Sequence, residues 1–125
     1  MWKSSSQTRK QRKYRFNAPL HARHKMLSAH LSKELRKDVG FRSMPLRKGD
    51  EVSVMVGEHK KMKGTITRVD MKALKVYVDS IKKRKVSGQE VEIPLDPSNL
   101  KIMKFNSDDA KRKKIVDRRK RGNKQ

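Results

Sequence analysis

The sequence predicts a mainly β protein: a small β-barrel with a basic, helix-containing N-terminal extension and a basic C-terminal helix or tail. Three observations predict it. After Pro45 the apolar residues alternate with a period of two in short segments separated by turn residues. Hydrophobic residues make up only 33% of the 125 residues and charged ones 38%, enough core for a folded unit of roughly 60 residues with polar extensions. The charge is also segregated. Residues 1–48 carry 14 basic and 2 acidic side chains, residues 49–106 carry 12 and 8, and residues 107–125 carry 9 and 3, so +18 of the net +22 lies outside the middle segment. The expected division is an extension over 1–43, a barrel over 44–106 and a tail over 107–125.

Met1–Arg15 reads as unstructured in the free protein, because like charges repel and little apolar surface is available to bury. Tyr14 and Phe16 stand among Arg12, Lys13 and Arg15. Aromatics so placed either stack on bases while the cations meet phosphates, or anchor the arm to the domain. Trp2 has the same two readings, base stacking or an unstructured end. Pro19 suits the opening of a helix. Leu27, Leu31, Leu35 and Val39 then recur every four residues as a narrow helical stripe, with a possible break near Leu31–Ser32, and Gly40 ends it. The opposite face carries Arg23, Lys25, Lys33, Arg36 and Lys37. The stripe is too narrow and too poor in aromatics for a membrane surface.

The barrel strands follow in order. Val52, Val54 and Val56 form the first. Gly64–Val69 forms the second, where Ile66 and Val69 break the alternation and suggest a bulge. Leu74, Val76 and Val78 form the third, Val91, Ile93 and Leu95 the fourth, and Leu100 with Ile102 a short fifth. Gly49, Gly57, Gly64 and Gly88 are expected at turns, and Pro94 at a strand end or edge. Strands at this spacing close most edges by forming a barrel. Ser107-Asp108-Asp109 is a good helix start, with a cap and two carboxylates at the positive end of the dipole. Only Ile115 and Val116 are apolar in Lys111–Arg121, so that helix is expected mainly with a bound partner.

Composition excludes several classes. The chain has no cysteine, hence no disulfide framework and no thiolate zinc site. No apolar run approaches the ~20 residues a bilayer needs, and Met1–Arg15 has no apolar stretch of a signal peptide. His21 and His24, with His30 as the third ligand, sit among cations that oppose a metal. Asp50 and Glu51 are adjacent, so in a strand they point to opposite faces and do not form a catalytic pair; turn chemistry and charge balance explain them. The four histidines show no fixed spacing that would support a ribonuclease. The seven methionines show no stripe and read as gap-fillers in a small core. No enzyme, cofactor, metal or small-molecule substrate is expected. A pI of about 10.7 points to a polyanion.

The most informative stretch is Arg47–Val69. Two strands hold a loop in which Lys60, Lys61 and Lys63 present cations, while Gly57 and Gly64 allow tight turns and close approach to a phosphate. The candidate RNA contacts are His59, Lys60, Lys61, Lys63 and Gly64 in this loop, and Lys82, Lys83, Arg84 and Lys85 in a second basic run. Arg12, Lys13, Arg15, Arg23, His24 and Lys25 represent the N-terminal extension, and Arg42, Arg47 and Lys48 line the approach to the barrel.

This stretch resembles the KOW motif of SH3-like barrels, with Gly57, Lys60, Gly64, Ile66 and Val69 at its spacing. It departs at Lys61, where many members carry a second glycine. Phe16-Asn17-Ala18-Pro19, Leu31–Arg36, Arg42–Val52 and Pro97–Ile102 extend the likeness. Together they resemble the archaeal and eukaryotic form of universal large-subunit ribosomal protein twenty-four, called twenty-six in eukaryotes, from about Tyr14 to Phe105. The resemblance implies a structural protein of the cytoplasmic ribosome that binds large-subunit rRNA during assembly near the peptide exit tunnel, beside neighbouring ribosomal proteins. Two alternatives remain. A KOW-type transcription elongation module normally belongs to a longer chain with another domain, for which this sequence has no room. A DNA-compacting architectural protein accounts for the charge and leaves the loop unexplained.

Overall fold

In the main sheet, strands such as Glu51–Val54, Lys75–Val78 and Leu100–Lys104 form where alternating apolar residues can bury one face. The computed structural model describes residues 5–122; Trp2 lies outside them. In chain order the elements are α1 (Thr8–Asn17), α2 (Leu20–Met26), β1 (Ser28–Leu31), α3 (Lys33–Val39), β2 (Ser43–Pro45), β3 (Glu51–Val54), β4 (Lys63–Asp70), β5 (Lys75–Val78), β6 (Lys82–Arg84), β7 (Glu90–Glu92), β8 (Leu100–Lys104) and α4 (Ala110–Gly122). Six strands form one sheet in the order β2-β1-β8-β3-β4-β5, and β6 and β7 form a separate antiparallel pair. No helix among the described residues is long and apolar enough to cross a membrane.

Val52, Val54, Val76, Val78, Leu100 and Ile102 all point into one core. The bulge expected in β4 is present as a register shift between Ile66 and Arg68 against β5. Val56, expected to extend β3, is 60% exposed because the strand ends at Val54 and the chain turns at Gly57. Gly49, Gly57 and Gly88 have positive φ, as turn glycines do. Gly64 is different: it lies inside β4 opposite Val52. An added Cβ there would come within 2.6 Å of Asp79 Oδ1 and Val78 Cγ1. Close approach, not turning, explains this glycine.

The result is a small β-rich domain within a mixed α and β architecture, and its sheet does not close. One edge of the sheet is built from the segment expected in the N-terminal extension. Residues 28–31 are a strand, β1, which runs parallel to β8 through His30–Lys101 and Leu31–Ile102 and antiparallel to β2. The four-residue stripe is therefore split between elements. Leu27 and Leu31 flank and end β1, and Val39 belongs to α3. Ser32 caps α3 by accepting from the Leu35 amide at 3.2 Å, and Gly40 ends it with φ of 79°. At the other end of the sheet, Leu95 bridges to Val76, so that part of the fourth expected strand covers β5.

Both extensions carry more structure than their composition suggested. Residues Thr8–Asn17, expected largely unstructured, form α1. The C-terminal segment forms α4, and Asp109 caps it by accepting from the Lys111 amide at 2.8 Å. What docks α4 is a buried arginine.

Candidate nucleic-acid interface

Basic side chains fall into two groups: those that meet protein acceptors and those that point outward without one. Arg112 heads the first group. It is 3% exposed and Asp50 is fully buried. Arg112 Nη1 and Nη2 donate to the two Asp50 carboxylate oxygens at 2.6 and 2.7 Å. The backbone amides of Arg47 and Asn106 donate to the same carboxylate, each at 3.0 Å. One carboxylate thus ties the β2–β3 turn, the end of β8 and α4 together, with a bidentate fork at its centre. Arg112 also donates to the Pro45 carbonyl at 3.1 Å. The expected turn role of Asp50 is only part of its job. A single arginine within Lys111-Arg112-Lys113-Lys114 carries no mark in the sequence that would single it out.

Three expected contacts also have protein partners. Arg23 donates to the Ala18 carbonyl at 2.9 Å, to the Lys72 carbonyl at 3.1 Å and to the Phe16 carbonyl. It thereby fastens the α1–α2 junction to the β4–β5 turn. Arg47 pairs with Asp109. Arg42 Nε donates to His30 Nδ1 at 3.4 Å. His24 is half-buried and lines a cleft floored by Leu27, Leu46 and Val69.

The second group is turned outward. Arg12, Lys13 and Arg15 are exposed on α1, as are Lys25 at the end of α2 and Lys48 before β3. None of these forms an ion pair among the described residues. Lys82, Lys83 and Arg84 lie exposed along β6, opposite Glu92, Val91 and Glu90 of β7, with Lys85 beyond. The basic run gave no alternation from which β6 could be read; its pairing follows from the turn at Gly88. Exposed Lys111, Lys113 and Lys114 on α4, and Arg68 stacked 4.1 Å from the Tyr77 ring centroid, add basic surface beyond the expected set.

The loop between β3 and β4 is the most constrained part of this surface. The Val54 amide donates to the Met62 carbonyl and the Lys61 amide to the Val54 carbonyl, each at 2.9 Å. Lys60 and Met62 amides donate to the Gly57 and His59 carbonyls, each at 3.1 Å. Lys61 has φ of 73°, left-handed backbone at the position where the motif commonly has glycine. Lys60, Lys61 and Lys63 therefore leave a pinned loop in fixed directions. His59, just before them, is half-buried.

At the β4–β5 turn, Asp70 accepts from the amides of Ala73 and Lys72 at 3.0 and 2.9 Å. The Ala73 bond above all holds its carboxyl below the ordinary value, aided by Lys72 and the charge of Arg68. No group of three or more histidine, aspartate or glutamate side chains among the described residues could hold a metal ion.

A model of the family of ribosomal proteins called L26 in eukaryotes, together with their archaeal form, protein twenty-four, matches residues 5–119. The chain belongs to this family. The match covers the sheet, the lysine loop, the β6–β7 hairpin and most of α4. As a member it is a ribosomal protein of the large subunit, with a cytoplasmic ribosomal location and a structural, non-enzymatic part in translation.

Proposed function

We propose that this protein binds large-subunit rRNA during ribosome assembly, near the peptide exit tunnel, and contacts neighbouring ribosomal proteins there. The observation that carries this reading is the outward set of cations without ion-pair partners among the described residues, held on ordered elements, in a member of a ribosomal family. Residues 44–106 are read as an SH3-like, KOW-type unit with an open seam, whose β3–β4 hairpin offers Lys60, Lys61, Lys63 and the backbone near Gly64 to folded RNA. Within the segments 1–43 and 107–125, the exposed faces of α1, with Arg12, Lys13 and Arg15, and of α4 are read as following RNA grooves. Cations replace counterions condensed on phosphates, so affinity falls steeply with salt, by about 0.7–0.9 log units per phosphate neutralised for each tenfold rise. Specificity comes from the shape of folded RNA and a few unstacked bases.

The test is sedimentation of tagged full-length protein from a lysate through sucrose, in low and then high salt. Co-migration with large subunits that persists in high salt is expected. Migration with polymerase or with bulk DNA would favour an elongation module or an architectural role and would overturn the rRNA reading.

A further inference from the structure

The strand register places two further groups beside the lysine loop. Ser53 lies at the centre of β3, paired with Lys63 of β4 on one side and Lys101 of β8 on the other. Directly paired residues project from the same face of a sheet. Val52 and Val54 point into the core, so Ser53, Lys63 and Lys101 share the opposite face. Lys60 and Lys61 reach the same place from the loop, and all five line one small cleft with Val54 and Met55.

Three features of this cleft are unexplained by the fold alone. Ser53 is only 8% exposed, yet its hydroxyl has no hydrogen-bond partner among the described residues. Four lysines converge on it, and no carboxylate lines it. Glu51 lies further along the same face of β3 and is engaged by Lys104 at 3.6 Å; Glu58 of the loop does not line the cleft. Lys61 reaches the cleft from strained left-handed backbone. A buried unpaired hydroxyl and an uncompensated cluster of ammonium groups each disfavour the empty state. One tetrahedral oxyanion satisfies both. It accepts from the serine hydroxyl and from several ammonium groups at once.

We propose that this cleft is a seat for a single phosphate of the RNA backbone, with the Ser53 hydroxyl at its floor and Lys60, Lys61, Lys63 and Lys101 around it. The inference rests on the rRNA-binding reading and deepens it: one phosphate is held in a defined place, and Lys101, 38 to 41 positions away in sequence from the loop lysines, is part of the contact. A phosphodiester keeps two non-bridging oxygens, enough for the hydroxyl and the lysines together.

Two titrations of the full chain test it. In the first, inorganic phosphate is added and the backbone amides are followed by NMR. Saturable shifts centred on Ser53, Lys61 and Lys101, lost in Lys101→Gln, are expected. Shifts spread evenly over α1, β6 and α4 would overturn the seat. In the second, deproteinised large-subunit rRNA is bound at several salt concentrations. Lys101→Gln, which leaves three lysines around the phosphate, should weaken binding several-fold and flatten the log–log salt slope by less than the about 0.7–0.9 of a whole phosphate, and Ser53→Ala should weaken binding roughly tenfold or more at unchanged slope, as loss of one hydrogen bond to a charged group does. Thermal unfolding of both variants separates these effects from misfolding. Localised phosphate shifts with unaltered rRNA affinity in both variants would overturn the RNA backbone as the occupant. Failure of the unaltered protein to bind rRNA at all would instead remove the rRNA-binding reading, while the phosphate titration alone decides whether an anion seat exists.

Discussion

The Asp50–Arg112 junction and the lysine loop use the same kind of charge for opposite ends. At the junction a guanidinium is buried, forked onto a carboxylate, and bonded to a backbone carbonyl. In the loop three lysines are exposed, pinned by backbone hydrogen bonds, and without a carboxylate. The difference teaches that in a chain of net +22 a basic residue cannot be assigned to RNA by type or by neighbours along the sequence. What decides is whether the fold brings an acceptor to it.

The largest effect should come from the junction. Arg112→Ala leaves the Asp50 carboxylate buried and without its cation, and breaking a buried pair from one side costs about 3–5 kcal/mol. Denaturant unfolding should register that loss, and circular dichroism a shorter α4. A loss under about 1 kcal/mol, the worth of an exposed pair, would mean that the junction does not dock the helix.

Next is the base of the loop. Gly64→Ala should destabilise by about 1–3 kcal/mol, the usual range for forcing atoms into a filled space, because the new methyl meets Val78 and Asp79. Thermal melting would show it. A smaller gain is expected at Lys61. Lys61→Gly relieves left-handed backbone and should stabilise by about 0.5–1 kcal/mol after glycine's greater entropy loss, while rRNA binding weakens several-fold. If both properties improved, the lysine would not be an RNA contact.

The smallest effect concerns Asp70. Its carboxylate is favoured in the folded state, so its contribution is complete above the ordinary carboxylate pKa of 3.8 and is lost as pH falls through the lowered folded value. Asp70→Asn should flatten the stability curve slightly in that acid window and leave its slope unchanged near neutrality. A pH titration of the unfolding midpoint measures this.

How much of this was legible in the sequence follows from the same physics. Alternating valines reported β3 and β5, a broken alternation reported the bulge in β4, and glycines reported the α3 cap and three turns. Those signals are local. The strand β1 was hidden because Leu27, Leu31, Leu35 and Val39 satisfy a helical period while serving separate elements. The hairpin strand β6 was hidden because a run of cations does not alternate. In the sequence Arg23, Arg42 and Arg47 read like any other candidate RNA contacts; that carbonyls, a histidine and a carboxylate also reach them depends on tertiary contacts spanning up to 62 residues. Lys101 was missed for the converse reason: only strand register brings it beside Lys63 across Ser53.

The division between cations with and without protein acceptors is tested most directly by one comparison of salt dependence. Binding to deproteinised large-subunit rRNA would be measured across salt for the unaltered protein, for Lys60, Lys61 and Lys63 replaced together by alanine, and for Arg23 and Arg47 replaced together by glutamine. The loop variant should keep its stability and flatten the log–log slope by about 0.7–0.9, as expected for loss of the one phosphate held in the cleft. The arginine variant should keep its slope and lose stability. An unchanged slope in the loop variant, or a slope that flattens equally in both, would contradict the account.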